Sequence, residues 1–123
     1  MKQENFSIRK RLKSFKDAFR GLKILIKEEH NSRIHLFAAV GVLIAGFLFR
    51  VSAYEWIAIV FAIGLVITVE IINSCVENIA DFVSPGRHDK IKKIKDLSAA
   101  GVLVSAITAL IIGLIIFIPK ILG

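Results

Sequence analysis

The 123-residue sequence predicts an all-α integral membrane protein, with an N-terminal amphipathic surface helix and three transmembrane helices in a single domain. Two observations point there. First, 55% of the residues are hydrophobic, mean hydropathy is +0.69, and yet 22% are charged. A soluble domain mixes about 45–50% apolar residues through its sequence, so here charge and oil must occupy separate segments. Second, the seventeen Lys and Arg residues are clustered, ten of them before Ile34 and five between Arg87 and Lys95, for a net charge of +7. The hydrophobic content excludes a disordered chain. Two prolines, one tyrosine and few turn residues argue against an all-β fold, and Cys75, the only cysteine, has no internal disulfide partner.

The surface helix is assigned to residues 1–33. Ile8, Leu12, Phe15, Phe19, Leu22 and Ile26 recur at steps of four and three, which makes one apolar stripe. Arg9, Lys10, Arg11, Lys13, Lys16, Arg20, Lys23 and Lys27 lie outside it. Such a helix lies in the headgroup plane with its cations on anionic lipid phosphates. Nucleic acid is the other polyanion a basic chain can bind, but the long neutral stretches favour a membrane. A secretory signal is not expected, because a charged segment of this length is far longer than an ordinary n-region.

The spans are assigned to residues 34–50, 54–83 and 97–118. The apolar run Ile34–Phe49 has sixteen residues, Trp56–Val69 fourteen with a helical continuation to about Val83, and Ala99–Ile118 twenty. A span needs about 20 residues, so the third run suffices, the second suffices with its polar continuation, and the first needs snorkelling flanks or a thinner bilayer. Tyr54 and Trp56 stand where interfacial aromatic anchors belong. The cation asymmetry predicts a cytoplasmic N-terminus and an outside C-terminus, in a bacterial inner membrane. Gly41/Ala45 and Ala109/Gly113 are spaced as helix contact points. Lys90, Lys92, Lys93 and Lys95 are read as a positive-inside loop, and Asp96 as a carboxylate favoured by the start of the third helix.

The chemistry concentrates in residues 70–81, EIINSCVENIAD. At about 100° per residue, Glu70, Asn73, Ser74, Glu77 and Asp81 share one face of an otherwise oily helix. Glu70 lies fourteen residues beyond Trp56, about 21 Å along the axis, which is near the inner edge of a roughly 30 Å hydrocarbon layer. An ionisable group at that depth is read as functional. Glu28, Glu29, Asn31 and Arg33 form a polar knot where the surface helix meets the first span, so Glu29 and Glu77 can approach each other at one membrane face. Carboxylates among many cations suggest Mg²⁺ shared with phosphate oxygens.

Other chemistries are not encoded. Gly41 and Gly46 have the spacing of a P-loop start, but Phe47 and Leu48 follow instead of Lys and Ser/Thr. No protein-kinase glycine loop or catalytic-loop motif occurs. His30, His35 and His88 are too scattered for a zinc site; His35 reads as a membrane-edge polar residue, His88 as a loop residue and Cys75 as a small packing residue.

The segments Val69–Ser74, Glu77, Asp81 and Lys95–Ala100 resemble the prokaryotic diacylglycerol kinase family, which includes the undecaprenol kinases. The resemblance runs from Phe19-Arg20-Gly21-Leu22 to the end of the chain. Glu29–His35 and Glu55-Trp56 are more similar to the undecaprenol-type branch. The resemblance implies a homotrimer whose sites are shared between subunits, and transfer of the ATP γ-phosphate to a lipid hydroxyl at the cytoplasmic face. It places the general base on Glu70 and the magnesium acids on Glu29 and Glu77. Nucleotide contacts fall on Lys10, Asp17, Glu29, Glu77, Gly86, Arg87, His88, Lys95 and Asp96. Lipid contacts fall on Lys10, Glu70 and Ala99, and Asn73 and Asp81 support the site. Lys10 stands where members often carry Arg, which makes a weaker bidentate partner for phosphate. Ala99 stands where the enteric type carries a serine.

Two other classes fit the bare residue pattern. One is a non-enzymatic membrane subunit that pairs its acidic stripe with a partner's cations. The other is a small ion carrier with Glu70 as its proton or cation site, which leaves Lys95 and Asp96 without a role.

Overall fold

A computed structural model describes residues 7–123, which form four helices in chain order: α1 (Ile8–Glu28), α2 (His30–Leu48), α3 (Ala53–Val83) and α4 (Asp89–Leu122). Helices α2, α3 and α4 are long and apolar enough to cross a membrane. The described residues are thus all-helical, with the three long apolar helices of a membrane protein.

Helix α1 opens on Ser7, whose Oγ accepts from the Lys10 backbone N–H at 3.4 Å, a cap that satisfies one otherwise orphaned amide. Ile8, Leu12, Phe15 and Phe19 are exposed along it, and Leu25 is its one buried residue. The helix ends at Glu29, which has an extended backbone (φ −109°, ψ 106°). Glu29 closes α1 through its N–H to the Leu25 carbonyl at 3.0 Å and opens α2 by accepting from the Arg33 N–H at 3.3 Å. One residue thus joins the two helices and carries a carboxylate at the joint.

Helix α2 ends in a tight hydrogen-bonded turn. The Arg50 N–H reaches the Phe47 carbonyl at 3.3 Å and the Val51 N–H reaches the Gly46 carbonyl at 3.2 Å. This pairing requires a left-handed residue after the helix, and Arg50 supplies it at φ 51°. Val51 is carried inward and buried. Ser52 then caps α3 in a reciprocal box: its Oγ accepts from the Glu55 N–H at 3.2 Å, and Glu55 Oε1 accepts from the Ser52 N–H at 2.9 Å. Glu55 Oε2 also accepts from Lys120 Nζ at 2.6 Å, which ties the start of α3 to the end of α4.

The apolar core sits at this end, where Val51, Ile59 and Ile116 are buried among Val42, Trp56, Ile112 and Phe117. Along α3 the buried stripe runs Ile59, Ala62, Val66, Glu70, at the three- and four-residue steps that keep one helix face inward. Helix α3 packs along α4 more extensively than along α2. Most other large apolar side chains face outward, Phe37 and Phe82 being 85% and 90% exposed.

Several expectations need correction. The lysine-rich segment before the third span is helix, not loop, because α4 begins at Asp89 behind the cap of His88. Asp96 therefore lies two turns inside the helix and pairs with Lys92 at 2.9 Å instead of meeting the helix start. The close helix approach falls at Gly46, where an added Cβ would lie 2.5 Å from the Trp56 ring; among the described residues Gly41 and Gly113 have no such neighbour. Trp56 turns inward against Phe47 at 4.9 Å between ring centroids, leaving Tyr54 as the exposed aromatic. Cys75 is exposed rather than packed.

Two substitutions probe this packing. Gly46→Val will lower the stability in detergent by about 1–3 kcal/mol, since the added carbons must displace the Trp56 ring from its place against the core. Arg50→Gly will raise it by about 0.5–1 kcal/mol by removing the left-handed strain at a side-chain-bearing residue. Equilibrium unfolding followed by circular dichroism measures both.

Candidate active site

The polar side chains of the oily segments converge at the end of the bundle away from the core. Glu29 at the α1–α2 joint, Asn31, Ser32 and His35 on α2, and Glu70, Asn73 and Glu77 on α3 line one cavity of about 320 Å³. Helix α4 closes it with Ala99, Val102, Leu103 and Ala106. The spacing explains the wall. Ser32 and His35 are three apart on α2, and Glu70, Asn73 and Glu77 are three and four apart on α3, so each set shares a helix face.

Glu70 is 4% exposed, yet it carries a carboxylate. Its partner is His35, whose Nδ1–H donates to Glu70 Oε1 across the α2–α3 interface. Burying an unpaired carboxylate is costly, and pairing with a donor offsets that cost. One turn further along, Ser74 Oγ donates to Glu29 Oε1 at 3.2 Å, which docks the joint onto α3. Asn73 Oδ1 is buried without a hydrogen-bond partner, alone in this among the described side chains. A buried amide oxygen normally has a partner, so this one is a polar atom left unsatisfied beside the cavity that Asn73 lines.

Glu29 and Glu77 line the same cavity. Among the described residues no three His, Cys, Asp or Glu side chains gather closely enough to hold a metal ion unaided. Two carboxylates suit Mg²⁺, which takes few protein oxygens and completes its shell from phosphates and water. The donor set therefore fits that ion in company with a phosphorylated ligand.

A second cavity of about 290 Å³ adjoins the first and is walled by Ala38, Ala39, Ala62, Val66, Ala106, Ala109 and Gly113 among other apolar residues. His35 is the only polar side chain lining it, and it lines the acidic cavity too.

The remaining predicted residues lie elsewhere. Asp81 accepts from Lys95 Nζ at 2.5 Å, joining the ends of α3 and α4. Asp96 faces a groove along α4 itself, with Asp89, Lys92 and Lys93. Gly86 and Arg87 are exposed in the α3–α4 connection, and His88 Nδ1 accepts from the Lys90 N–H at 3.1 Å. Lys10 and Asp17 lie on exposed turns of α1, about 28 Å and 18 Å from Glu29 along the helix axis; Asp17 pairs with Arg20 at 3.5 Å. The structure thus gathers Glu29, Glu70, Asn73, Glu77 and Ala99, and leaves Lys10, Asp17 and Asp96 outside the cavity. Sequence reasoning missed His35 and Ser32. Their i, i+3 spacing at the head of an apolar run was the available signal.

The sequence model of the prokaryotic diacylglycerol kinase family matches residues 16–117. The chain is 40% identical over 108 residues to the undecaprenol kinase of Bacillus subtilis (strain 168), an alignment covering 88% of each protein. It is 32% identical over 113 residues to a diacylglycerol kinase of Synechocystis, covering 91% of this chain and 65% of that one. It is 29% identical over 107 residues to a diacylglycerol kinase of Haemophilus influenzae, covering 86% and 91%.

The Asp81–Lys95 pair is solvent-facing, with Asp81 65% exposed. Asp81→Asn will therefore cost no more than about 1 kcal/mol of stability, measured by equilibrium unfolding in detergent.

Proposed function

The chain belongs to the prokaryotic diacylglycerol kinase family and is an ATP-dependent lipid kinase; within that activity we propose that it phosphorylates undecaprenol at the cytoplasmic face, with Glu70 as general base. One observation carries the base assignment: a carboxylate buried in an oily helix opens onto an acidic cavity that adjoins an apolar one. A lipid alcohol needs that arrangement. Its chain stays in oil while its hydroxyl reaches the acids. The 40% identity to an undecaprenol kinase supports the choice of acceptor over diacylglycerol.

In this reading the hydroxyl proton passes to Glu70, and the lipid oxygen forms its bond to the γ-phosphorus as the bond to the ADP oxygen breaks. Asn73, one turn along the same helix face, lines the cavity beside Glu70 and supports the site. Ala99 presents only a methyl group at the cavity wall and leaves room for the lipid head. Bound Mg²⁺, held by Glu29 and Glu77 with the phosphates, supplies charge neutralisation. Ser74 keeps Glu29 in place for that task. Phosphoryl transfer depends mainly on such positioning and electrostatics.

Lys10, Asp17, Gly86, Arg87, His88, Lys95 and Asp96 complete the nucleotide site, Asp81 holding Lys95. Several stand too far from the cavity along α1 or on outer faces, so the proposed assembly is a homotrimer in which neighbouring subunits contribute them. Helix α1 lies on the membrane with Ile8, Leu12, Phe15 and Phe19 in the oil and its cations on anionic headgroups. The cation asymmetry supports an N-terminus inside and a C-terminus outside the bacterial inner membrane.

Three outcomes test this. Glu70→Gln will lower turnover by about 10²–10⁴-fold, the usual worth of a positioned base, while nucleotide binding measured by calorimetry persists; wild-type rates would remove the base role. Glu77→Ala will raise the Mg²⁺ concentration needed for half-maximal rate, read from a metal titration. With labelled ATP and the two lipids in parallel, undecaprenol will be phosphorylated with the higher kcat/KM. A preference for diacylglycerol would reverse the acceptor assignment.

A further inference from the structure

We propose that His35 is a positioning residue for phosphoryl transfer: its imidazole holds one oxygen of the Glu70 carboxylate and thereby leaves the other turned to the acceptor hydroxyl. The inference rests on Glu70 being the general base.

The geometry starts from the carboxylate. A glutamate side chain has three rotatable bonds, and a base must meet its proton within about 0.5 Å and 10–20° of the productive geometry. Glu70 sits on the buried stripe of α3 that also carries Ile59, Ala62 and Val66, so its backbone is fixed by packing. Its carboxylate is fixed only if something binds it. Among the described residues, the hydrogen bond from His35 Nδ1 to Oε1 is the one that does so. That bond crosses from α2 to α3, so it also fixes the carboxylate relative to the opposite wall of the cavity.

Among the described residues the surroundings offer no other cationic donor. The acidic cavity is lined by three carboxylates, Glu29, Glu70 and Glu77, and by no lysine or arginine. Helix α4 contributes only apolar side chains to it. Glu29 is engaged by Ser74. His35 is thus the one basic side chain facing these acids. It also lines the apolar cavity, which Glu70 does not. Among the described residues His35 and Ala106 alone line both cavities, so a lipid whose chain occupies the apolar space brings its hydroxyl across a boundary at which the His35 ring is the polar side chain. A donor at this boundary can hold one oxygen without occupying the path to the other. Serving only to bury a polar edge, the imidazole would not need to meet a carboxylate on another helix.

The test compares His35→Ala and His35→Asn with the wild-type protein in mixed micelles. Asparagine places an amide N–H near the position of Nδ1 and does not titrate. His35→Ala is expected to lower kcat by about 10–100-fold, with the KM values for lipid and ATP changing by no more than about threefold. His35→Asn is expected to recover about tenfold or more of that loss. Selective ¹⁵N labelling of histidine gives a readout independent of turnover. The His35 Nδ1 resonance is expected to be that of a protonated nitrogen and to move in Glu70→Gln. The proposal is overturned by a wild-type kcat in His35→Ala. It is also overturned by a rise in lipid KM at unchanged kcat, by equal losses in both variants accompanied by equal losses of stability, or by a Nδ1 resonance indifferent to Glu70→Gln. If His35→Ala does not fold, the asparagine variant and the resonance still decide. Glu70→Gln assayed in parallel separates the two claims: an active Glu70→Gln removes the base itself, whereas an inactive Glu70→Gln beside an unimpaired His35→Ala removes only the positioning role.

Discussion

A carboxylate on the buried stripe of a long apolar helix constrains everything around it. Glu70 continues the row of Ile59, Ala62 and Val66, so it points where a core residue would point. A carboxylate there needs a donor within reach, and the backbone amides of its own helix cannot serve, because they are already spent on helix bonds. The donor it meets comes across an interface, from His35 on α2. That requirement sets the rotation of α2 about its axis and, with the Ser74–Glu29 bond, brings the α1–α2 joint down onto α3. The acidic cavity exists because these two cross-helix bonds hold three segments in register.

The molecule divides its tasks along the helix axes. At one end, Val51, Ile59 and Ile116 form the apolar core, and the Arg50 turn, the Ser52–Glu55 box and the Glu55–Lys120 pair close it. At the other end the helices carry polar residues inward around the acidic cavity, and the oily cavity runs from His35 back to Val42, Ile59 and Ile112 of the core. A lipid kinase requires this junction, since its acceptor is amphipathic and its phosphate donor is soluble in water. The rigid end supplies the precision that a site built on helices can offer. The small side chains of the alanines and Gly113 leave the oily cavity open, and an added Cβ at Gly113 would meet no atom of the described residues.

Much of the site was legible before any coordinates. The E-x-x-N-S-x-x-E spacing on a hydrophobic background already put Glu70, Asn73, Ser74 and Glu77 on one helix face. The polar knot around Glu29 already marked the joint. His35 was not legible in the same way. A single histidine near the head of an apolar run has many uses, and its partner lies 35 residues away. The lysines before the third apolar run misled for a different reason. Charge density suggested a loop, but the i, i+4 pair of Lys92 with Asp96 and the cross-helix pair of Lys95 with Asp81 support a helix there.

Local sequence determined the elements: which stretches are helical, which are oily enough for a bilayer, and which face of each carries polar atoms. Those properties follow from periodicity and composition, which act over a few turns of chain. Tertiary structure alone decided the partners. His35 with Glu70, Ser74 with Glu29, Glu55 with Lys120 and Trp56 over Gly46 are all contacts between helices. Which side chains meet across helices depends on the axial shift and rotation of each one. Those are settled by the packing of the whole bundle, and no short window of residues contains that information.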